Sequence, residues 1–206
     1  MHSLRKQPEM GVCWAGCFPC NINKEIPMAS IKLLGIAGSL RQASTNKGLL
    51  RAAQAHLPQG VSMEIAELAD IPFYNQDISD KPAAVSRVLA QIGAADALVL
   101  ACTEYNYSLA PALKNILDWA SREPDNALLA GKPAALMGAG GGMGTSRAQY
   151  HLRQVCVYLD LRPLNKPEVF ANAFAGGFDG AGNLTDEKLI QLVAGQMQAL
   201  VAAVRG

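Results

Sequence analysis

The residues best suited to ligand chemistry gather in short polar loops. The first is GSLRQASTNKG, residues 38–48, which follows the apolar run IKLLGIA and precedes the amphipathic stretch LLRAAQAHL. It offers the hydroxyls of Ser39, Ser44 and Thr45, the amide of Asn46 and the guanidinium of Arg41. Backbone N–H groups that open a helix favour an anion, hydroxyls donate to its oxygens, and an arginine adds a charged fork. An N-cap cluster with a surface arginine is the structural alternative, and this segment alone leaves it open.

The pattern narrows the anion. A triphosphate loop needs G-x-x-x-x-G-K-[ST], and this chain has no Gly-Lys-Ser/Thr. A dinucleotide fingerprint needs G-x-G-x-x-G after the first strand, but Gly35 and Gly38 have no third glycine in register. The run GAGGGMG, residues 138–144, fails the same test and follows the fourth strand. Its sixth positions are Met143 when counted from Gly138 and Thr145 when counted from Gly140. A terminal monophosphate, which needs no magnesium ligand, fits what remains.

The second loop, TEYNYS (103–108), follows the most apolar strand and carries Tyr105, Asn106 and Tyr107. Two tyrosines beside a phosphate loop suit a flat cofactor ring, with backbone amides reaching its heteroatoms. The glycine-dense third loop, with Gly138, Gly140, Gly141 and Gly142, lets backbone approach the ring's other edge.

The elements that must position these loops alternate along the chain. Apolar runs at 31–37, 61–68, 96–102 and 131–139, with a shorter one in RPLNKPEVF, read as five strands. Helical spacing runs through 46–57, 85–92, 111–120, 145–159 and 185–204, with Pro111 in a first turn and Thr185 as the last N-cap. Alternating strands and helices predict an α/β three-layer sandwich around a parallel sheet. Five strands favour the flavodoxin-like order 2-1-3-4-5, with ligands at the carboxyl ends of the strands. The three loops 38–46, 103–110 and 138–146 belong at that edge.

Composition bounds the rest. The 206 residues suit one domain; half are hydrophobic, and the net charge is +1. No basic face suits nucleic acid, and no apolar run reaches the roughly 20 residues of a spanning helix. Cys102 and Cys156 lie in apolar segments and read as reduced, buried thiols of a cytoplasmic protein. Residues 1–30 differ: they lack periodicity and read as a disordered tail or an over-extended start before Met28. Cys13, Cys17 and Cys20 there have a C-x3-C-x2-C spacing that can also hold an iron–sulfur cluster. Residues 31–206 form the domain.

The motifs GSLRQASTN, EYNYS, LKNILDWASR, LAGKPAALMGAGGGMGTSRAQYHLRQ and NKPEVF together resemble the NADPH-dependent FMN reductase family, in particular its bacterial chromate and quinone reductases. The resemblance covers roughly residues 31–204 and implies a flavodoxin-like fold with non-covalent FMN. By resemblance, Ser39, Arg41, Ser44, Thr45 and Asn46 hold the FMN phosphate. Glu104, Tyr105, Asn106 and Tyr107 line the isoalloxazine, with Asn106 near N5, and Gly138 to Gly144 close the far side. This chain departs from the family pattern in having Thr103 in place of proline, and GAGGG where serines are common.

The implied reaction is ping-pong. NADPH or NADH reduces FMN, and the electrons then pass to quinones, flavins, azo compounds or a metal oxyanion such as chromate. No side-chain acid or base is expected to be essential. The family also implies a homodimer or homotetramer, with Arg147, Tyr150 and Glu168 in the segments used between subunits. A flavodoxin-type electron carrier is the competing reading, and the charge of +1 counts against it because carriers are strongly acidic. A hydrolase fares worse: Ser146, in GTSRA, lacks the second glycine of G-x-S-x-G, and His151 reads as a surface or interface residue.

Overall fold

The computed structural model describes residues 30–206. The readings of residues 1–29, including those of Cys13, Cys17 and Cys20, lie outside the described residues. Six strands occupy five positions in the parallel sheet: β1 (Ile31–Ala37), β2 (Val61–Ala66), β3 (Ala97–Ala101), β6 (Pro133–Gly140) and a fifth position shared by β7 (Arg162–Pro163) and β8 (Val169–Asn172). Two short strands, β4 (Glu104–Tyr105) and β5 (Ser108–Leu109), make a separate hairpin. The helices are α1 (Thr45–Ala55), α2 (Ala83–Ala94), α3 (Pro111–Ala120), α4 (Ser146–Tyr158) and α5 (Glu187–Arg205).

The sheet runs β2-β1-β3-β6, with β7 and β8 both paired in parallel to β6. This is the expected 2-1-3-4-5 order, with its fifth strand in two pieces. Pro163 ends the first piece, and Pro167 precedes the second. The N–H groups of Arg162 and Leu164, on either side of Pro163, donate to the Lys132 and Ala134 carbonyls at 3.0 and 2.8 Å, and pairing to β6 resumes at Val169.

β3 is central and buried on both faces, which is why it reads as a continuous apolar run. Its side chains divide with period two. Leu98 and Leu100 pack under α2, α3 and α4, while Ala97, Val99 and Ala101 face α1 and α5. Burying each such leucine stabilises the fold by about 1.5–3 kcal/mol. The cysteines follow the same logic. Burial pushes the Cys102 thiol up to about 12 and the Cys156 thiol up to about 11, so both stay protonated and inert.

Local signals start the helices. Ser44 caps α1 by accepting from the Lys47 N–H at 3.3 Å. Pro111 opens α3, where its missing N–H costs nothing. The cap of α5 differs from the expected Thr185: Asp186 holds that position and accepts from the Leu189 N–H at 2.9 Å. The carboxylate brings a full charge to the positive end of the helix, and this favours it over the hydroxyl. The Thr185 N–H bonds the Gly177 carbonyl instead, at 2.9 Å.

A loop before α5 braces the first turn of α1. Asp179 Oδ1 accepts from the N–H groups of Ala181 and Asn183 at 2.9 and 2.8 Å, and Arg51 Nε donates to Asn183 Oδ1 at 2.7 Å. The approach is close enough to require glycine, since a Cβ on Gly48 would lie 1.8 Å from the Gly182 carbonyl oxygen. The start of α1 is therefore held from both ends of the chain.

Candidate cofactor site

The carboxyl edge of the sheet brings the three polar loops together. A cleft of about 250 Å³ is lined by Ser39, Arg41, Ser44, Thr45 and Asn46 from the first loop, with Thr103, Tyr105 and Gly140 opposite them. Ser39 and Ser44 are buried. The N–H groups of Thr45 and Asn46 find no protein acceptor among the described residues, as expected at an open helix start. The Arg41 guanidinium folds back over this loop, where Nη2 donates to the Ala43 carbonyl at 2.9 Å.

Asn46 has a different engagement from its neighbours. Its Nδ2 donates to the Ala139 carbonyl at 2.9 Å, and its Oδ1 accepts from the Ala139 N–H at 2.9 Å. The side chain is buried and its amide latches the first loop to the third. Its backbone N–H and the second Nδ2 hydrogen remain for a ligand.

The second loop is a hairpin. Asn106 and Tyr107, with φ of 50° and 66°, form the two-residue turn between β4 and β5. Positive φ at both central positions is the mark of a primed turn, which asparagine tolerates and tyrosine enters only at a cost. The hairpin separates the two tyrosines. Tyr105 lines the cleft, whereas Tyr107 lies on a neighbouring surface with Arg147, Tyr150 and His151. The Arg147 guanidinium stacks 4.2 Å from the Tyr107 ring centroid and lies 3.9 Å from Glu104 Oε1. Glu104 itself caps α4 from across the chain: Oε2 accepts the Ala148 N–H at 3.1 Å. Thr145, at the N-cap position, makes no such bond with its side chain. A carboxylate at the positive end of α4 is a favourable placement.

The glycines of the third loop divide into two kinds. A Cβ on Gly138 would lie 1.9 Å from Thr145 Oγ1, and one on Gly140 would lie 2.4 Å from the Gly144 carbonyl oxygen. Those two positions are glycine because the protein itself fills the space. Gly141 and Gly142 face open space.

Sequence reasoning missed three participants. Thr103 Oγ1 is buried and has no hydrogen-bond partner among the described residues, and Thr103 lines the cleft. Its departure from the family's proline was the available signal. Ala173 and Phe174, after β8, complete the wall. The Ala173 N–H donates to the Gly140 carbonyl at 2.7 Å, but nothing local in the sequence marks that pairing. The cleft holds no cysteine, histidine or carboxylate, and no group of acids, cysteines or histidines suited to a metal occurs among the described residues. His151 pairs with Ser108 at 3.1 Å, not with Ser146, so the expected weakness of a hydrolase reading agrees with the geometry.

These features fit FMN. Open helix N–H groups and the hydroxyls of Ser39, Ser44 and Thr45 suit its phosphate, the orphan hydroxyl of Thr103 offers a partner deeper in, and Tyr105 offers a flat neighbour. Comparison with known proteins points the same way. Residues 31–176 match the model of the NADPH-dependent FMN reductase family. The chain is 51% identical to an NAD(P)H-dependent FMN reductase of Pseudomonas aeruginosa, over 85% of this chain and 96% of that protein. It is 44% identical to an NAD(P)H:quinone oxidoreductase of Solanum tuberosum, over 84% and 92% of the two chains. Among solved structures, the flavoenzyme NAD(P)H:acceptor oxidoreductase FerB of Paracoccus denitrificans aligns with a TM-score of 0.77 at 29% identity, covering 85% of this chain and 97% of that one. A flavodoxin from Pseudomonas aeruginosa, at 16% identity and a TM-score of 0.58, shares the fold. The chain belongs to the NADPH-dependent FMN reductase family and is an FMN-dependent NAD(P)H oxidoreductase with a flavodoxin-like fold.

The latch is testable. Asn46→Ala removes both hydrogen bonds and leaves a buried backbone N–H and C=O at Ala139 unpaired, at about 1–3 kcal/mol for each group. The urea midpoint should fall, and FMN should bind at least about tenfold more weakly because the first loop loses its position. Unchanged FMN affinity would show that the latch does not set the site.

Proposed function

We propose that this enzyme reduces quinones with electrons from NADPH or NADH in a ping-pong cycle, using FMN held at the carboxyl edge of the sheet. The observation that carries this reading is the cleft itself, with helix N–H groups and hydroxyls at one end and Tyr105 at the other. When bound, FMN accepts a hydride from the nicotinamide and passes the electrons on to the acceptor. The protein's part is to bind, orient and exclude.

The first loop anchors the phosphate. Ser39, Ser44 and Thr45 donate hydroxyl hydrogen bonds, the N–H groups of Thr45 and Asn46 point the α1 dipole at it, and Arg41 supplies positive charge. The Asn46 side chain ties the loop to Ala139 and keeps a second Nδ2 hydrogen, beside its backbone N–H, for the phosphate. Tyr105 and the hairpin backbone orient the ring, with Asn106 at the turn closest to N5. Gly141 and Gly142 leave room at its other edge. Glu104 and Tyr107 act one step back: Glu104 fixes the hairpin to α4, and Tyr107 is held under Arg147. No side-chain acid or base lines the cleft, so acceptor choice rests on shape and access. Quinone is the acceptor favoured by the names of the Solanum tuberosum relative, an NAD(P)H:quinone oxidoreductase, and of an Escherichia coli quinone reductase at 36% identity. Free flavins, azo compounds and chromate fit the same open chemistry.

The chain acts as a homodimer or homotetramer. Tyr150, Val157 and Tyr158 expose large apolar side chains on α4, a surface that suits a second copy. Arg147 lies at the start of that helix. Glu168 is paired with Lys166 at 2.7 Å on a different segment and would serve the larger assembly. Among the described residues no helix is long and apolar enough to cross a membrane. A cytoplasmic setting is the reading consistent with the protonated thiols of Cys102 and Cys156.

Two measurements test these statements. The purified protein should show flavin absorbance that bleaches on anaerobic addition of NADPH or NADH and returns on adding a quinone. Flavin that stays oxidised would mark an electron carrier instead. Sedimentation velocity should give a dimer or larger, shifted toward monomer by Tyr158→Arg; a monomeric parent protein would remove the assembly.

A further inference from the structure

A second cavity of about 370 Å³ lies beside the cofactor cleft and shares Arg41 and Tyr105 with it. Its remaining walls are largely apolar, from Leu40, Leu68, Ile71, Phe73 and Ala112. Phe73 is 76% exposed, a costly position for a phenyl ring on a loop that is otherwise fastened down.

The fastening is specific. Asn115, on α3, is buried and uses both ends of its amide on the residues flanking Phe73: Oδ1 accepts the Tyr74 N–H at 2.8 Å, and Nδ2 donates to the Pro72 carbonyl at 2.9 Å. Trp119 Nε1 donates to the same carbonyl at 2.9 Å, and the Tyr74 ring packs edge-on against Trp119 at 5.1 Å. Phe73 is thus held between two anchored residues.

We propose that this cavity is the acceptor subsite for the apolar substituent of an alkyl- or ring-fused quinone, with Phe73 as its rim. The assignment rests on the reading that FMN occupies the neighbouring cleft, because the shared wall at Tyr105 then places the quinone ring near the flavin and its substituent in the cavity. The polarity of the walls selects the occupant. The amide of Asn115 is already satisfied, and Arg41 is the one charged side chain among the lining residues. The adenosine and phosphates of a dinucleotide need several donors and acceptors, and desolvating them against these walls would go uncompensated. A hydrocarbon needs none.

The test compares two quinones in the FMN-loaded enzyme with NADPH as donor: 2-methyl-1,4-naphthoquinone, which has a fused ring, and 1,4-benzoquinone, which has none. Ala112→Phe fills the cavity from the first turn of α3, and Phe73→Ser removes the rim while leaving both anchoring bonds in place. In each variant the ratio of kcat/KM for naphthoquinone to that for benzoquinone should fall at least about tenfold. The Kd of 2-naphthol, which is not reduced, should weaken by a similar factor when measured by flavin fluorescence. An unchanged ratio, an equal loss on both quinones, or a rise in the KM for NADPH that matches the loss would overturn the assignment. A parent enzyme that NADPH fails to bleach would overturn the quinone reductase reading instead, and 2-naphthol binding would still report on the cavity.

Discussion

The site depends on one buried amide. Asn46 spends its oxygen and its nitrogen on the N–H and C=O of Ala139, a residue 93 positions away. Each hydrogen bond contributes only about 1 kcal/mol net, but leaving either partner unpaired in the interior costs more. The latch is therefore worth most as a geometric specification. It fixes the anion-binding start of α1 against the end of β6, and with it the distance between the two ends of the cofactor cleft. The other loops are tied in the same manner, with Glu104 on the N-terminus of α4 and the Gly182 backbone against Gly48.

Such cross-bracing suits a cleft that, among the described residues, is lined by no carboxylate, histidine or cysteine. A catalyst with an acid and a base must tune the pKa values of both. Here the demand is to hold a preformed redox group still and keep one side open. Rigid loops meet the first requirement. The open space beside Gly141 and Gly142 meets the second, in a family whose members are named for flavins and for quinones. Asn115 extends the principle one loop further, by fixing the segment that carries Phe73.

Much of this was legible in the sequence wherever the signal was local. The strands were readable because a sheet covered on both faces produces continuous apolar runs such as ALVLA at β3. The first loop was readable by elimination, since its glycines and hydroxyls fail two nucleotide patterns and suit a third ligand. What escaped was set by distant partners. The amide of Asn46 reads only as a ligand group, and its second role as a latch shows once Ala139 is placed beside it. Glu104 reads as a pocket acid until α4 presents the Ala148 N–H. The hairpin at Asn106–Tyr107 lacks the Asn-Gly signature of its turn type, and so it passed for an open loop. The fifth strand splits across a segment bounded by Pro163 and Pro167, both visible in the sequence, but its pairing partner on β6 is not.

The central claim is that the first loop is a phosphate anchor, and the most direct test separates the phosphate from the rest of the flavin. The apoprotein would be titrated with FMN and with riboflavin, following quenching of flavin fluorescence at fixed ionic strength. The account predicts that riboflavin binds at least about a hundredfold more weakly, since it lacks the group that meets the α1 N–H donors, the hydroxyls and Arg41. Equal affinities would contradict it, because the ring alone would then be holding the cofactor.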